Sequence, residues 1–329
     1  MSDAFTLAPD PARAAAFDRR MRERLSDSLD HIVEAIDGEV PFDAAALAGF
    51  RARLAAGPVG PLAFGAYYDL VLAIDSDDLD RAQRLLAELA AAPTRRSQLA
   101  IYPLADPGTD ADAERIVRLI DTDPDQTFRA VPAPPERAAG CQSKLEAALA
   151  LIETGDPELA AEIRTLISDI VLGAAPLERG VMQFEGASSF MLWGAMLLNA
   201  GDTWTTLGAA QALAHESGHT LLFGHCIDGK LVENDAEARF SSPLRADPRP
   251  MEGIFHATYV TARMYRCVAK LLAARVLDRA MTEEATTALS AHRRGFDAGM
   301  SVIERDAHLT PLGREVLDGA SRFMAAPTV

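Results

Sequence analysis

His215 and His219 stand four residues apart in the run LAHESGH (213–219), with Glu216 between them. On a helix, side chains at that spacing lie one above the other on one side, with about 5–6 Å between Cβ atoms. Two imidazoles so placed can reach a single metal ion, and a glutamate close to both completes the HExxH pattern. Two chemistries use such a helix. A zinc ion with three protein ligands and one water hydrolyses amide bonds, with the motif glutamate as general base. An iron(II) ion with three protein ligands keeps further positions open for a cosubstrate and dioxygen.

Two histidines leave that ion one protein ligand short, and three residues compete to supply it. His225 follows His219 by six, the spacing of HExxHxxGxxH, but that pattern needs a glycine where this chain has Leu222. Glu237, in VENDAEARF (232–240), lies near the window from which gluzincins draw a glutamate. His256 comes after the proline-punctuated DPRPMEGIF (247–255), a segment suited to turning the chain back across the first helix. His256 is the favoured reading.

The elements that must carry these residues are mostly helical. TTLGAAQALAHESGHTLLFG (205–224) lacks proline, is rich in alanine and leucine, and turns a broad apolar side toward a core. Periodicity and helix-start signals predict further helices at 10–36, 42–55, 61–74, 78–91, 137–153, 157–172, 253–277, 282–298 and 311–324. Short strands are expected in QLAIYPL (98–104) and QTFRAVP (126–132). VMQFEG (181–186) and FMLWGAMLLN (190–199) read as strands leading into the HExxH helix. In zincins the strand ahead of that helix lines the cleft and can pair with an extended peptide. The break PAPPE (132–136) suggests a helical N-terminal region over 1–131 and a catalytic domain over 132–329. The expected fold is α+β, mostly α, with a small β-sheet in a zincin-like catalytic half.

Composition excludes other classes. With 48 acidic against 32 basic side chains and a formal charge of −16, a face that neutralises nucleic-acid phosphates is not expected. Cys141, Cys226 and Cys267 are too few and too scattered for a disulfide framework or a cysteine-type zinc module. No apolar run is long enough to span a bilayer, and the N-terminus lacks an apolar signal core, so the expectation is a cytoplasmic protein with no membrane partner.

LAHESGHTLL (213–222), VEND (232–235), SSPLRADPRP (241–250) and GIFHATYV (253–260) together resemble the HExxH peptide β-hydroxylases. Those enzymes act on ribosomally made, post-translationally modified peptides with iron(II) and 2-oxoglutarate. The likeness is close over 213–260 and loose over the rest of the catalytic half, and the N-terminal half carries no matching motif. Leu244 stands where relatives often have tryptophan. The resemblance implies His215, His219 and His256 as iron ligands, and it matches Arg245 and Arg249 to the family's arginines, candidates for binding 2-oxoglutarate. A guanidinium fork suits the distal carboxylate of that keto acid. Arg263, two turns beyond His256, is a second-rank candidate, and Gln211, one turn before His215, could orient a ligand. The partners implied are a precursor peptide and dioxygen, with the helical N-terminal region a candidate for recognising the peptide. The alternative function is a zinc-dependent metallopeptidase, and Glu216 is where the two mechanisms differ: essential base in one, orienting group in the other. His31, His292 and His308 read as surface or structural.

Overall fold

A computed structural model of the chain describes residues 5–36, 38–95, 98–121, 129–176, 184–200, 204–243 and 247–326. In order, the elements are α1 (Pro11–Ala35), α2 (Ala44–Ala56), α3 (Pro61–Asp75), α4 (Leu79–Ala91), β1 (Ala100–Pro103), α5 (Ala111–Ile120) and β2 (Val131–Pro132). Next are α6 (Pro135–Gly155), α7 (Pro157–Leu166), β3 (Asp169–Ala174), β4 (Gly186–Ser188), a 3-10 turn (Phe190–Leu192) and β5 (Ala195–Asn199). The chain ends with α8 (Thr206–His225), a second 3-10 turn (Cys226–Asp228), α9 (Met251–Ala273), α10 (Arg279–Asp306) and α11 (Pro311–Ala325). The protein is thus mostly helical with one small mixed sheet.

Local chemistry explains most of the helix starts. Asp43, Asp78, Asp110, Thr205, Asp278 and Thr310 each accept a hydrogen bond from the backbone N–H three residues on, satisfying a donor that the first turn leaves open. Proline at the first position of α3 and α11 fixes a helical φ where no N–H is needed.

The chain forms two compact units, each assembled from separate stretches of sequence. One comprises the described residues of Ala15–Gln142 and Arg164–Asp202, the other those of Met1–Ala14, Ser143–Ile163 and Thr203–Val329. The first holds the sheet, in the order β1-β3-β5-β4, with β1, β3 and β5 parallel, β4 antiparallel to β5, and β2 antiparallel to β3. Strand β3 is central and buried from Ile170 to Ala174, the continuous apolar run expected of a parallel strand covered on both faces. Leu104, Ile116, Leu119, Val171, Leu192 and Leu197 belong to the core on which this sheet is built.

Three expectations from sequence need correcting in this unit. The helix placed at 157–172 stops at Leu166, because Ile167, Ile170 and Val171 continue an apolar run that suits a buried strand as well as a helix, and the run resolves into β3. FMLWGAMLLN is not one strand: Phe190–Leu192 is a 3-10 turn, and Gly194, at φ +97°, swings the chain into β5. Helix α5 was not expected, although Asp110 caps it and Asp112 and Glu114 lie in its first turn. Of VMQFEG, residues 181–183 lie outside the described residues and the strand begins at Gly186; of QTFRAVP, 126–128 lie outside and Val131–Pro132 forms β2.

The other unit is helical. Its centre is α9, which packs against α8, α10 and α11. Two glycines let the helices approach. A Cβ on Gly218 of α8 would stand 3.1 Å from Val260 Cγ1 and 3.4 Å from Arg263 Cγ, and one on Gly299 of α10 would collide with Thr258. Buried ion pairs tie α9 to the preceding helices: Arg266 to Asp156, and Arg263 to Glu162. Among the described residues no helix is long and apolar enough to cross a membrane. Cys141, Cys226 and Cys267 form no disulfide, and burial pushes the latter two up to about 12, which keeps them protonated near pH 7.

Candidate metal centre

Helix α8 is apolar on nearly all sides, with Leu207, Ala210, Leu213, Ala214, Ser217, Gly218, Leu221 and Leu222 buried. Such a helix is an interior element. One stripe is only half-buried, and it runs through Gln211, His215, His219 and Phe223 at intervals of four. The two histidines of HExxH therefore face the side of α8 that the core does not close, while Glu216 is buried.

His256, in the second turn of α9, meets that stripe. Its Nδ1 lies 3.2 Å from His219 Nδ1, and His219 Nε2 lies 3.2 Å from His215 Nε2. The ring centroids of His219 are 5.5 Å from His256 and 4.9 Å from His215. Phe223, one turn beyond His219, lies against both the His219 and His256 rings. It shares the four-residue interval that marks the two histidines and was legible by the same rule.

His225 and Glu237, the competitors for the third position, go elsewhere. His225 stacks on Phe5 at 5.6 Å, and Glu237 is an exposed residue of the turn after Asp235. Of the three, His256 brings a ring nitrogen within 3.2 Å of an HExxH imidazole.

Imidazole nitrogens are donors that a transition-metal ion takes. Two imidazole nitrogens bound to one ion at about 2.0–2.1 Å lie about 2.8–3.4 Å apart across right-angle to tetrahedral geometries. Each 3.2 Å separation falls in that range, but His219 makes them with opposite ring nitrogens, so the two do not describe a single ion together. Burial pulls His256 down to about 4, so the ring is neutral near pH 7, the form that binds metal. Its Nε2 is buried and, among the described residues, meets no hydrogen-bond partner. A buried polar atom left this way calls for a ligand or water. His219, however, turns a different nitrogen to each neighbour, and among the described residues no three candidate ligands already share one point. Rotation of an imidazole about χ2, a soft torsion, is needed for all three to close on one ion.

Glu216 is buried, with Oε1 3.8 Å from His215 Nε2. Of the arginine candidates, Arg245 lies outside the described residues. Arg249 exchanges backbone hydrogen bonds with Phe240 at 2.9 Å, and its side chain pairs with Asp247 at 2.5 Å. Arg263 does not serve a cosubstrate: it is fully buried, donating to Glu162 Oε1 and, at 3.2 Å, to Leu7 O. Gln211 Oε1 lies 2.6 Å from His292 Nε2, so this glutamine holds α10 to α8. His31 is exposed on α1, with Nδ1 2.8 Å from Asp27 O. Sequence reasoning missed Glu162, which reaches α9 across about a hundred residues and carries no local signature. Comparison with protein-family models and with curated protein sequences yields no match.

Proposed function

We propose that the chain is an iron(II)- and 2-oxoglutarate-dependent hydroxylase acting on the β-carbon of a residue in a ribosomally made peptide. The observation that supports this reading is His256 beside His219, a third imidazole, and not a carboxylate, next to the HExxH pair. The familiar facial triad of iron(II) oxygenases includes a carboxylate. Three neutral donors instead leave the full double charge of the ion to be met by an anionic chelator, and the carboxylate and keto oxygens of 2-oxoglutarate fill that role. The resemblance over 213–260 points the same way.

In this reading His215, His219 and His256 hold the ion, and burial keeps His256 unprotonated so that it stays a ligand. Phe223 covers the rings of His219 and His256 and excludes water from that flank. Glu216, beside His215, orients that imidazole. Arg249, with Arg245 as the second candidate, takes the distal carboxylate of the keto acid, which requires Arg249 to share or leave Asp247. When bound, iron(II) and 2-oxoglutarate supply dioxygen activation, with succinate, carbon dioxide and a hydroxylated peptide as products.

A second reading, a zinc-dependent metallopeptidase, is favoured by the burial of Glu216 at 3.8 Å from His215, which suits a general base. Anaerobic addition of 2-oxoglutarate to the iron(II)-loaded protein separates the two. A weak visible charge-transfer band is expected, and a peptide encoded by a short reading frame beside the gene should gain the mass of one oxygen only with iron and 2-oxoglutarate. Absence of the band together with zinc-dependent cleavage of that peptide, abolished by Glu216→Gln, would replace the hydroxylase by the peptidase.

A further inference from the structure

We infer that Glu162 is a positioning residue for the candidate metal centre, fixing through Arg263 where α9 presents His256. The inference rests on the metal-binding reading of the three histidines. Glu162 lies on α7, is fully buried, and belongs to no motif. Its Oε1 accepts from Arg263 Nη2, and its Oε2 accepts from the backbone N–H of Asp10 at 2.8 Å and from Arg13 Nη2 at 3.3 Å. Arg263 also donates to Leu7 O at 3.2 Å, while Arg13 donates to Thr6 O at 3.0 Å and Ala8 O at 2.8 Å. One carboxylate thus gathers two guanidiniums and the segment from Thr6 to Arg13.

Arg263 follows His256 by seven residues, which on a helix brings it within about 20° of the same direction and about 10 Å along the axis. Its stem lies over Gly218, the neighbour of His219, since a Cβ there would meet Arg263 Cγ at 3.4 Å. The side chain that answers to Glu162 is therefore also, with Val260, one of the two that meet Gly218 where the ligand-bearing helices pass. Arg266, paired with Asp156, offers an internal control. It carries a comparable buried ion pair on the same helix, but ten residues from His256 it points about 80° away from that face.

The test is titration of the full chain with cobalt(II), read by visible absorption and alongside thermal melting without metal. Glu162→Gln should weaken cobalt binding on the order of 10- to 100-fold and alter the spectrum, the scale seen when a group supporting a ligand is removed. Asp156→Asn should lower the melting temperature while leaving cobalt affinity and spectrum as in the wild type. Arg13→Gln, a milder change at the same carboxylate, should shift affinity in the same direction by less, and decides the matter if Glu162→Gln does not fold. Wild-type affinity and spectrum in Glu162→Gln, or in Arg13→Gln where that variant decides, overturn the inference. Equal losses of cobalt affinity in Glu162→Gln and Asp156→Asn also overturn it. A wild-type chain that takes up no cobalt overturns the metal reading and this inference together.

Discussion

The two halves of α9 treat buried polar groups in opposite ways. Toward its C-terminal end, Arg263 and Arg266 are buried but each faces a buried carboxylate, Glu162 and Asp156. Toward its N-terminal end, His256 is also buried, yet among the described residues its Nε2 meets no hydrogen-bond partner. Both arrangements cost desolvation. The first recovers the cost inside the folded chain, whereas the second leaves it outstanding until something binds. A buried ion pair therefore marks where the fold is held, and an orphaned imidazole beside two others marks where chemistry is available.

The largest expected effect breaks the first half. Arg266→Met strands the Asp156 carboxylate in the interior, and removing one partner of a buried pair typically destabilises by about 3–5 kcal/mol. Urea unfolding monitored by circular dichroism measures it, and a loss below about 1 kcal/mol would mean that the pair holds nothing.

His256→Leu tests the other half and should behave in reverse. Without metal its stability should stay within about 1 kcal/mol of the wild type, because the change removes the unsatisfied Nε2 together with the Nδ1 contact to His219, and the two effects oppose each other. Metal at about a hundred times its dissociation constant should stabilise the wild type by about 2.7 kcal/mol through mass action, and the variant by close to nothing. Melts with and without cobalt(II) check both arms, and an equal metal-induced gain in the two proteins would remove His256 from the ligand set.

Gly218→Ala sharpens the comparison at the crossing of α8 and α9. The new methyl would sit 3.1 Å from Val260 Cγ1, and overpacking of that kind costs about 1–3 kcal/mol, offset by about 1 kcal/mol of helix propensity gained over glycine. Net stability should fall by roughly 0–2 kcal/mol, while cobalt affinity falls by more than that energy predicts, because the spacing between His219 and His256 is what the methyl disturbs. Calorimetric titration with cobalt(II) beside urea unfolding separates the two quantities.

How much of this was legible depended on range along the chain. Helices with a capping aspartate or a leading proline, such as α2, α3 and α11, could be placed from a few residues, because the signals act within one turn. The pairing of His215 with His219 followed from helical periodicity alone. That His256 rather than His225 or Glu237 joins them depended on where a turn aims the next helix, which spacing restricts but does not decide. Strand β3 was hidden because Ile170, Val171 and Leu172 are apolar without alternation, and a run buried on both faces has no period to read. Glu162 was illegible for a different reason: a carboxylate on an amphipathic helix reads as a solvated side chain until packing encloses it.

The smallest effect concerns acid, and it tests whether a histidine buried without a role in the site behaves like the ion pairs or like His256. Burial first, and the nearby Arg13 guanidinium second, pull His225 down to about 3 from its ordinary value of 6.5. The folded protein then binds this proton less readily than the unfolded chain, so the associated stability is fully present above about pH 6.5 and drains away as pH falls toward about 3, at roughly 1.4 kcal/mol per pH unit for one group. His225→Phe keeps a ring against Phe5 and removes the proton site. Its urea midpoint should fall less steeply between pH 6 and pH 4 than that of the wild type, with the remaining slope left to His256 and His292, which burial also lowers. Identical slopes in the two proteins would mean that acid protonates His225 in place, against the charge of Arg13, without unfolding the region that encloses it.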